Sequence, residues 1–276
     1  ILIESTIDMK SLLVLFLSVG LLSACSTTRP FTRDQLNTSN TAKSQASRAR
    51  FLILHYTALD QARSLHVLTE QAVSSHYLVG DDQPNTVYRL VDESRMALHA
   101  GVSSWKTHAQ LNASSIGIEI VNLGYVETPT GRQYQAFPQQ QIDTVITLVK
   151  DIVARHGIKP ENILGHGEIA PQRKPDPGPL FPWKQLADAG LIEWPNADAV
   201  AAQLLIFQQA LPDAVWFQTK LAEIGYATPK TGIWDQESKN VLIAFQCRYR
   251  QHTFDGIPDA ESAALLEVIT SKKKLP

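Results

Sequence analysis

Residues 165–183 read GHGEIAPQRKPDPGPLFPW, and this stretch decides how the rest of the chain is read. His166 and Asp176, both able to bind a metal, stand ten residues apart, with Lys174 just before the aspartate. Prolines at 171, 175, 177, 179 and 182 remove backbone donors and fix φ, so no helix continues past Ala170. Just upstream, Asn162-Ile163-Leu164 predicts a short strand that delivers His166 at its end. A strand ending on a polar side chain, followed by a stiffened irregular loop, reads as half of a site. The other half must come from elsewhere, and His55 is the first candidate.

Folded sequence begins at Phe51-Leu52-Ile53-Leu54, a continuous apolar run of the kind found in buried strands. It delivers His55 as the later strand delivers His166. Residues 61–73 have helical spacing, with Leu65, Leu68 and Ala72 on one side. His76–Val79 and Val87–Leu90 read as strands around a turn at Asp81–Asn85. His99–Trp105 has loop composition. Ile116–Val121 is a strand with Ile116, Ile118 and Ile120 on one face and Glu119 on the other. Pro138 opens a helix with Ile142, Val145, Ile146, Val149, Ile152 and Val153 on a single stripe, stopped near Gly157. Strands alternating with long helices predict an α/β (α+β) domain over residues 50–195.

A second unit follows over 205–272. Residues 213–225, 236–250 and 259–270 each carry helical spacing, and Asp235 and Asp259 stand where N-caps belong. Three helices in some sixty residues are too small for a deep cleft and suit gripping a partner. Read as an accessory, the module is expected to be dispensable for folding, so that a chain ending near residue 200 keeps its α/β core.

Before the folded part, residues 9–25 read MKSLLVLFLSVGLLSAC: a start methionine, Lys10, an apolar run and then small residues. This is the build of a secretory signal, too short to span a membrane. Ile1–Asp8 are expected to be upstream sequence, so residues 1–24 are excluded from fold reasoning. Leu22-Ser23-Ala24-Cys25 resembles the bacterial lipoprotein cleavage box, which makes Cys25 the lipidated N-terminus of an outer-membrane-anchored protein facing the periplasm. Residues 25–49, nearly devoid of apolar side chains after the cysteine, then read as a flexible tether. Lipidation of Cys25 leaves Cys247 as a lone, buried thiol. The 276 residues, 44% hydrophobic and 19% charged with a net charge of −2, are ordinary for a globular protein and argue against a nucleic-acid binder.

Hydrolytic zinc centres keep three protein ligands and leave the fourth position open. His55, His166 and Asp176 supply two imidazoles and a carboxylate on that pattern. Glu119, between isoleucines, faces solvent, a partner or a site, and in the last case can act as a general base. Lys174 is either a solvated loop lysine or the stabiliser of an oxyanion. The other histidines have milder readings: His156 suits a helix C-terminus, while His76 is either structural or a support for the site.

Several separated stretches, HYTA at 55–58, SSHYLV at 74–79, LHAGVSSW at 98–105, SIGIEIVNLG at 115–124 and the proline-rich 165–183, resemble the zinc-dependent N-acetylmuramoyl-L-alanine amidases of the amidase-2 family. The resemblance covers most of residues 50–195. It implies a mixed central sheet flanked by helices, shared with T7-type lysozyme amidases and peptidoglycan recognition proteins. It also implies one zinc ion held by His55, His166 and Asp176, with Glu119 as general base and Lys174 at the oxyanion. His99 and Ala100 are implied to line the groove for the stem peptide. The C-terminal module resembles, more loosely, the peptidoglycan-binding three-helix domain. The expected activity is hydrolysis of the amide between N-acetylmuramic acid, in intact or anhydro form, and L-alanine of peptidoglycan, by a monomer. The rival is a non-catalytic recognition protein of the same fold, which would be expected to lack a ligand or the base; all are present here.

Overall fold

A computed structural model describes residues 31–272. The signal sequence, Cys25 and the first part of the tether lie outside the described residues. Contacts divide the chain after Gln45, and residues 31–45 contain one short 3-10 turn, Arg33–Gln35. From Ala46 onward the chain forms a single unit. Among the described residues no helix is long and apolar enough to cross a membrane.

In chain order the folded part runs β1 (Phe51–Tyr56), α1 (Gln61–Glu70), β2 (Tyr77–Val79), β3 (Val87–Arg89), β4 (Ser104–Trp105), β5 (His108–Ala109) and β6 (Ser115–Ile120). After these come β7 (Tyr125–Thr128), β8 (Gly131–Tyr134), α2 (Gln139–His156), β9 (Ile163–Gly165), α3 (His166–Ile169) and α4 (Trp183–Asp188). Four helices close the chain: α5 (Ala197–Gln209), α6 (Ala214–Ile224), α7 (Gln236–Tyr249) and α8 (Ala260–Lys272). The central sheet has the order β3-β2-β6-β1-β9. Its β2, β6, β1 and β9 are parallel neighbours and β3 is antiparallel at the edge, so the predicted mixed sheet is observed. The hairpins β4–β5 and β7–β8 stand outside it.

The two faces of the sheet have different tasks, set by the period of two along each strand. Leu52 and Leu54 of β1, with Ile116, Ile118 and Ile120 of β6, pack on the stripe Ile142, Val145, Val149 and Ile152 of α2. Pro138 precedes α2, and Gly157 caps it in the left-handed region at φ 65°. Phe51 and Ile53 point the other way, into a second cluster with Trp105, Leu111 and Leu164. Phe217, Leu221, Phe245 and Leu266 of the C-terminal helices belong to that same cluster.

The C-terminal helices therefore meet the catalytic part through one continuous apolar cluster. These helices pack on one another, α5 and α6 on α8 and α6 on α7, while α7 lies against α3 of the catalytic part. A polar strut reinforces the contact. Arg248 of α7 donates to Glu168 Oε2 at 2.9 Å and to the Ile163 carbonyl at 3.0 Å. Tyr226 Oη donates to Glu168 Oε1 at 3.0 Å. Both members of the Arg248–Glu168 pair are buried, and a buried charge is tolerated only when it is partnered in this way.

The three predicted C-terminal helices are present, and α5 was missed. Its sequence, ADAVAAQLLIFQQ, has no buried residue and leaves Leu205 and Ile206 exposed. It therefore lacks the one-sided stripe by which a surface helix is recognised. Cys247 is free and half-buried rather than fully buried, with its thiol pushed up to about 12 by burial and, secondarily, by the charge of Glu168.

Candidate active site

Parallel strands gather their polar residues at their C-terminal ends, where open α/β sheets bind ligands. In the register of β1 and β6, His55 lies directly opposite Glu119. On the other side of β1, Leu54 pairs with Gly165, which puts His166, the next residue, beside His55. Continuous apolar strands thus end on one shared row of polar groups. Asp176 reaches that row from the proline-rich loop. The loop is drawn against α3 by a bond from Gly167 N to the Asp176 carbonyl, 2.7 Å long. A Cβ at Gly167 would stand 3.0 Å from the Lys174 carbonyl oxygen, so the close approach of helix and loop depends on glycine.

Three ligand atoms converge. His55 Nδ1 is 3.0 Å from His166 Nδ1 and 3.0 Å from Asp176 Oδ2, and His166 Nδ1 is 3.1 Å from that oxygen. One proton can satisfy only one pair among the three atoms, whereas a cation satisfies all of them. Bonds of about 2.0–2.1 Å to a tetrahedral ion would place such atoms roughly 3.3 Å apart, so the three residues fit a small divalent cation with one position left open. All three are buried.

The electrostatics agree with that assignment. Burial, reinforced by the charge of His166, lowers His55 to about 4, which keeps it neutral, as a metal ligand must be. Burial alone would raise the Asp176 carboxyl. The two adjacent histidines, His166 first, reverse this and hold it far below the usual carboxylate range.

Glu119 Oε1 lies 4.0 Å from His55 Nδ1, and Oε2 is buried with no partner among the described residues. Burial first, and then the charge of Asp176, push its carboxyl well above the ordinary value, opposed by Lys174. A carboxylate of raised proton affinity, lining one cavity with His55, His166 and Asp176, has the chemistry of a base. Lys174 is exposed and lines the same cavity of about 370 Å³, together with Thr57, Leu59, Leu98 and Tyr125.

His99 and Ala100 are placed differently from the expectation. Ala100 is fully buried, in the cluster shared with the C-terminal helices, so it cannot touch a peptide in the groove. Its carbonyl instead lies 3.2 Å from His166 Nε2. His99 does line the cavity, but its Nδ1 is 3.0 Å from His55 Nε2, which makes it a support of the centre. Sequence reasoning missed Arg173, whose guanidinium donates to the carbonyls of Ala100 and Val102. It also missed Tyr56, whose buried hydroxyl has no partner among the described residues. Its place directly after His55 on β1 was the one signal available for Tyr56.

The family model described as N-acetylmuramoyl-L-alanine amidase matches residues 45–179. A second model, putative peptidoglycan binding domain, matches residues 211–266. The chain is 41% identical over 244 residues to N-acetylmuramoyl-L-alanine amidase AmiD of Escherichia coli (strain K12), covering 86% of this chain and 88% of that one. The solved structure of AmiD from E. coli with the substrate anhydro-N-acetylmuramic acid-L-Ala-D-gamma-Glu-L-Lys matches with a TM-score of 0.77 at 38% identity, over 86% of this chain and 94% of that one. AmpDh3 from Pseudomonas aeruginosa matches with a TM-score of 0.79 at 36% identity, over 87% and 98%. Likeness over nearly the whole of both chains, with a buried His/His/Asp centre and a facing glutamate at its heart, leads to one conclusion: this chain belongs to the N-acetylmuramoyl-L-alanine amidase family.

Proposed function

We propose that the protein hydrolyses the amide between N-acetylmuramic acid and the L-alanine of the stem peptide, on intact or anhydro-muramyl peptides, using one zinc ion. The observation that carries this reading is the convergence of His55, His166 and Asp176 on one point with Glu119 opposite. AmiD was solved with an anhydro-muramyl tripeptide and AmpDh3 with an anhydromuramic pentapeptide, which supports the substrate class. His55, His166 and Asp176 would hold the zinc ion, which would supply Lewis-acid polarisation of the scissile carbonyl and a water made competent near neutral pH. Glu119 takes a proton from the attacking water as it adds to the carbonyl and gives that proton to the departing alanine nitrogen. Lys174 offers its ammonium to the oxyanion formed on the carbonyl oxygen. A recognition protein that does not cut would have no use for a base held at a raised proton affinity beside the ligands.

The test is a parallel digest of purified anhydro-muramyl peptides and intact sacculi, with products identified by mass. The expected result is release of peptides beginning with L-alanine, abolished by a chelator and restored by zinc. Recovery of uncut peptides from zinc-loaded protein would leave only the binding role.

The address completes the proposal: a monomer lipidated at Cys25, held at the outer membrane and facing the periplasm, with its C-terminal helices against the wall. The sequence MKSLLVLFLSVGLLSAC supports it. Acyl chains contribute about 0.8 kcal/mol per buried CH₂, and two or more chains anchor stably where one does not. Cys25→Ala is expected to move the protein from the membrane fraction to a soluble or unprocessed form. A wild-type protein found wholly soluble after cell fractionation would contradict the anchor.

A further inference from the structure

Both histidine ligands turn Nδ1 toward the centre, so each has Nε2 directed away from it, and the two Nε2 atoms meet consecutive residues. His55 Nε2 is 3.0 Å from His99 Nδ1. His99 Nε2 is 3.1 Å from Ser115 Oγ, and Ser115 Oγ donates to the Leu111 carbonyl at 2.6 Å. The hydroxyl gives its one proton to a carbonyl, so it accepts from His99 Nε2–H. His99 Nδ1 is then left as a lone pair that accepts from His55 Nε2–H, and His55 Nδ1 is left bare for a metal. Each assignment forces the next. At the other ligand, His166 Nε2 is 3.2 Å from the Ala100 carbonyl and 3.2 Å from Arg173 Nη2, which itself donates to that carbonyl, so the ring is seated against the Ala100 segment.

One side chain pins both supports. Asn112 Oδ1 accepts from His99 N at 3.1 Å and from Ala100 N at 2.7 Å. The seat of the His99 ring is closed on its far side by Gly117 of β6, where a Cβ would stand 2.5 Å from His99 Cγ. The ring therefore has no freedom to turn while its backbone stays in place.

We propose that Asn112 is a positioning residue of the metal centre: by fixing the His99–Ala100 segment it sets the ring orientation of both His55 and His166, and the tautomer of His55. The inference rests on the reading of His55, His166 and Asp176 as metal ligands. Asn112 does not line the cavity, so its effect is on affinity for the ion, where loss of such outer support typically costs about 10–100-fold.

The experiment measures Zn²⁺ affinity of the purified full-length chain by competition with a chromophoric chelator, beside thermal unfolding of the metal-free protein. The variants are Asn112→Ala, Asn112→Asp and Ser115→Ala. Asn112→Ala is expected to weaken zinc binding roughly 10–100-fold in protein that is still folded at the assay temperature. Asn112→Asp keeps an acceptor oxygen in place and is expected to recover most of the loss. Ser115→Ala removes the acceptor for His99 Nε2–H at the far end of the chain and is expected to weaken binding in the same direction. If Asn112→Ala does not fold, Ser115→Ala and Asn112→Asp carry the test. Wild-type affinity in both Asn112→Ala and Ser115→Ala would overturn the proposal. A wild-type chain that binds no zinc at all would instead overturn the metal reading on which it rests.

Discussion

A chain ending at residue 195 is expected to lose the folded amidase, not just its grip on the wall. The proposed zinc ligands, the proposed base and all strands of the central sheet lie upstream of that point, which makes the truncation look harmless. Yet Phe51 and Ile53 of the central strand, with Trp105 and Leu164, share a cluster with Phe217, Leu221, Phe245 and Leu266. Trp105 stacks edge-on with Tyr226 and Leu164 shares a cavity wall with Ile224 and Ile269; uncovering these two at ~1.5–3 kcal/mol each costs about 3–6 kcal/mol, a large part of a domain's whole stability of ~5–15 kcal/mol. The same cut leaves Glu168 buried without Arg248 or Tyr226, and Glu168 stands two residues after the ligand His166. A buried pair that loses one partner typically costs about 3–5 kcal/mol. The measurement is cooperative unfolding and muropeptide turnover of the 1–195 chain beside the full chain. Arg248→Met in the full chain serves as the milder variant, expected to lower the melting temperature while the apolar cover stays in place. A truncated chain that unfolds cooperatively and turns over soluble muropeptides near the full-length rate would show the helices to be dispensable.

That prediction reverses what the sequence suggests, and the reason is physical. In FLILHY the strand announces itself because every residue before the histidine is apolar. Nothing in the run says whether Phe51 and Ile53 are covered by a helix of their own domain or by one 170 residues later. Helical periodicity in 213–270 likewise marks which face is buried without naming what buries it. The site was more legible. His55, Glu119 and His166 each interrupt or end an apolar strand, where a polar group needs a reason, and Asp176 sits in a loop that prolines hold rigid. Ala100 was misread because the chemistry it supplies is its carbonyl, which no side-chain reading reveals. Asn112 carried no signal either, lying in the unremarkable LNASS between the β4–β5 hairpin and β6. Its importance comes from a single oxygen placed under two backbone amides, a relation that exists only in three dimensions.

The second large effect separates binding of the metal from use of the water. His166→Ala is expected to abolish both zinc binding and turnover, since only His55 and Asp176 then remain. Glu119→Gln should behave differently. Glu119 lies 4.0 Å from His55 Nδ1, outside the 3.0–3.1 Å triangle of ligand atoms, so the amide should leave the ion in place. The glutamine keeps the shape and can still hydrogen-bond water, but it cannot accept a proton near neutral pH. General acid–base assistance contributes on the order of 10²–10⁴-fold, and turnover should fall by at least that factor with zinc still bound. Lys174→Ala should also retain the ion, because the exposed ammonium is no ligand, with a loss of roughly 10²–10³-fold if it meets the oxyanion. Zinc stoichiometry measured beside the rate of L-alanyl peptide release distinguishes the three. A Glu119→Gln protein that is fully metal-loaded and near wild-type speed would remove the glutamate from the mechanism. The proton would then have to pass through another group on the cavity wall, and Tyr56, whose buried hydroxyl is unpartnered among the described residues, is the next candidate there.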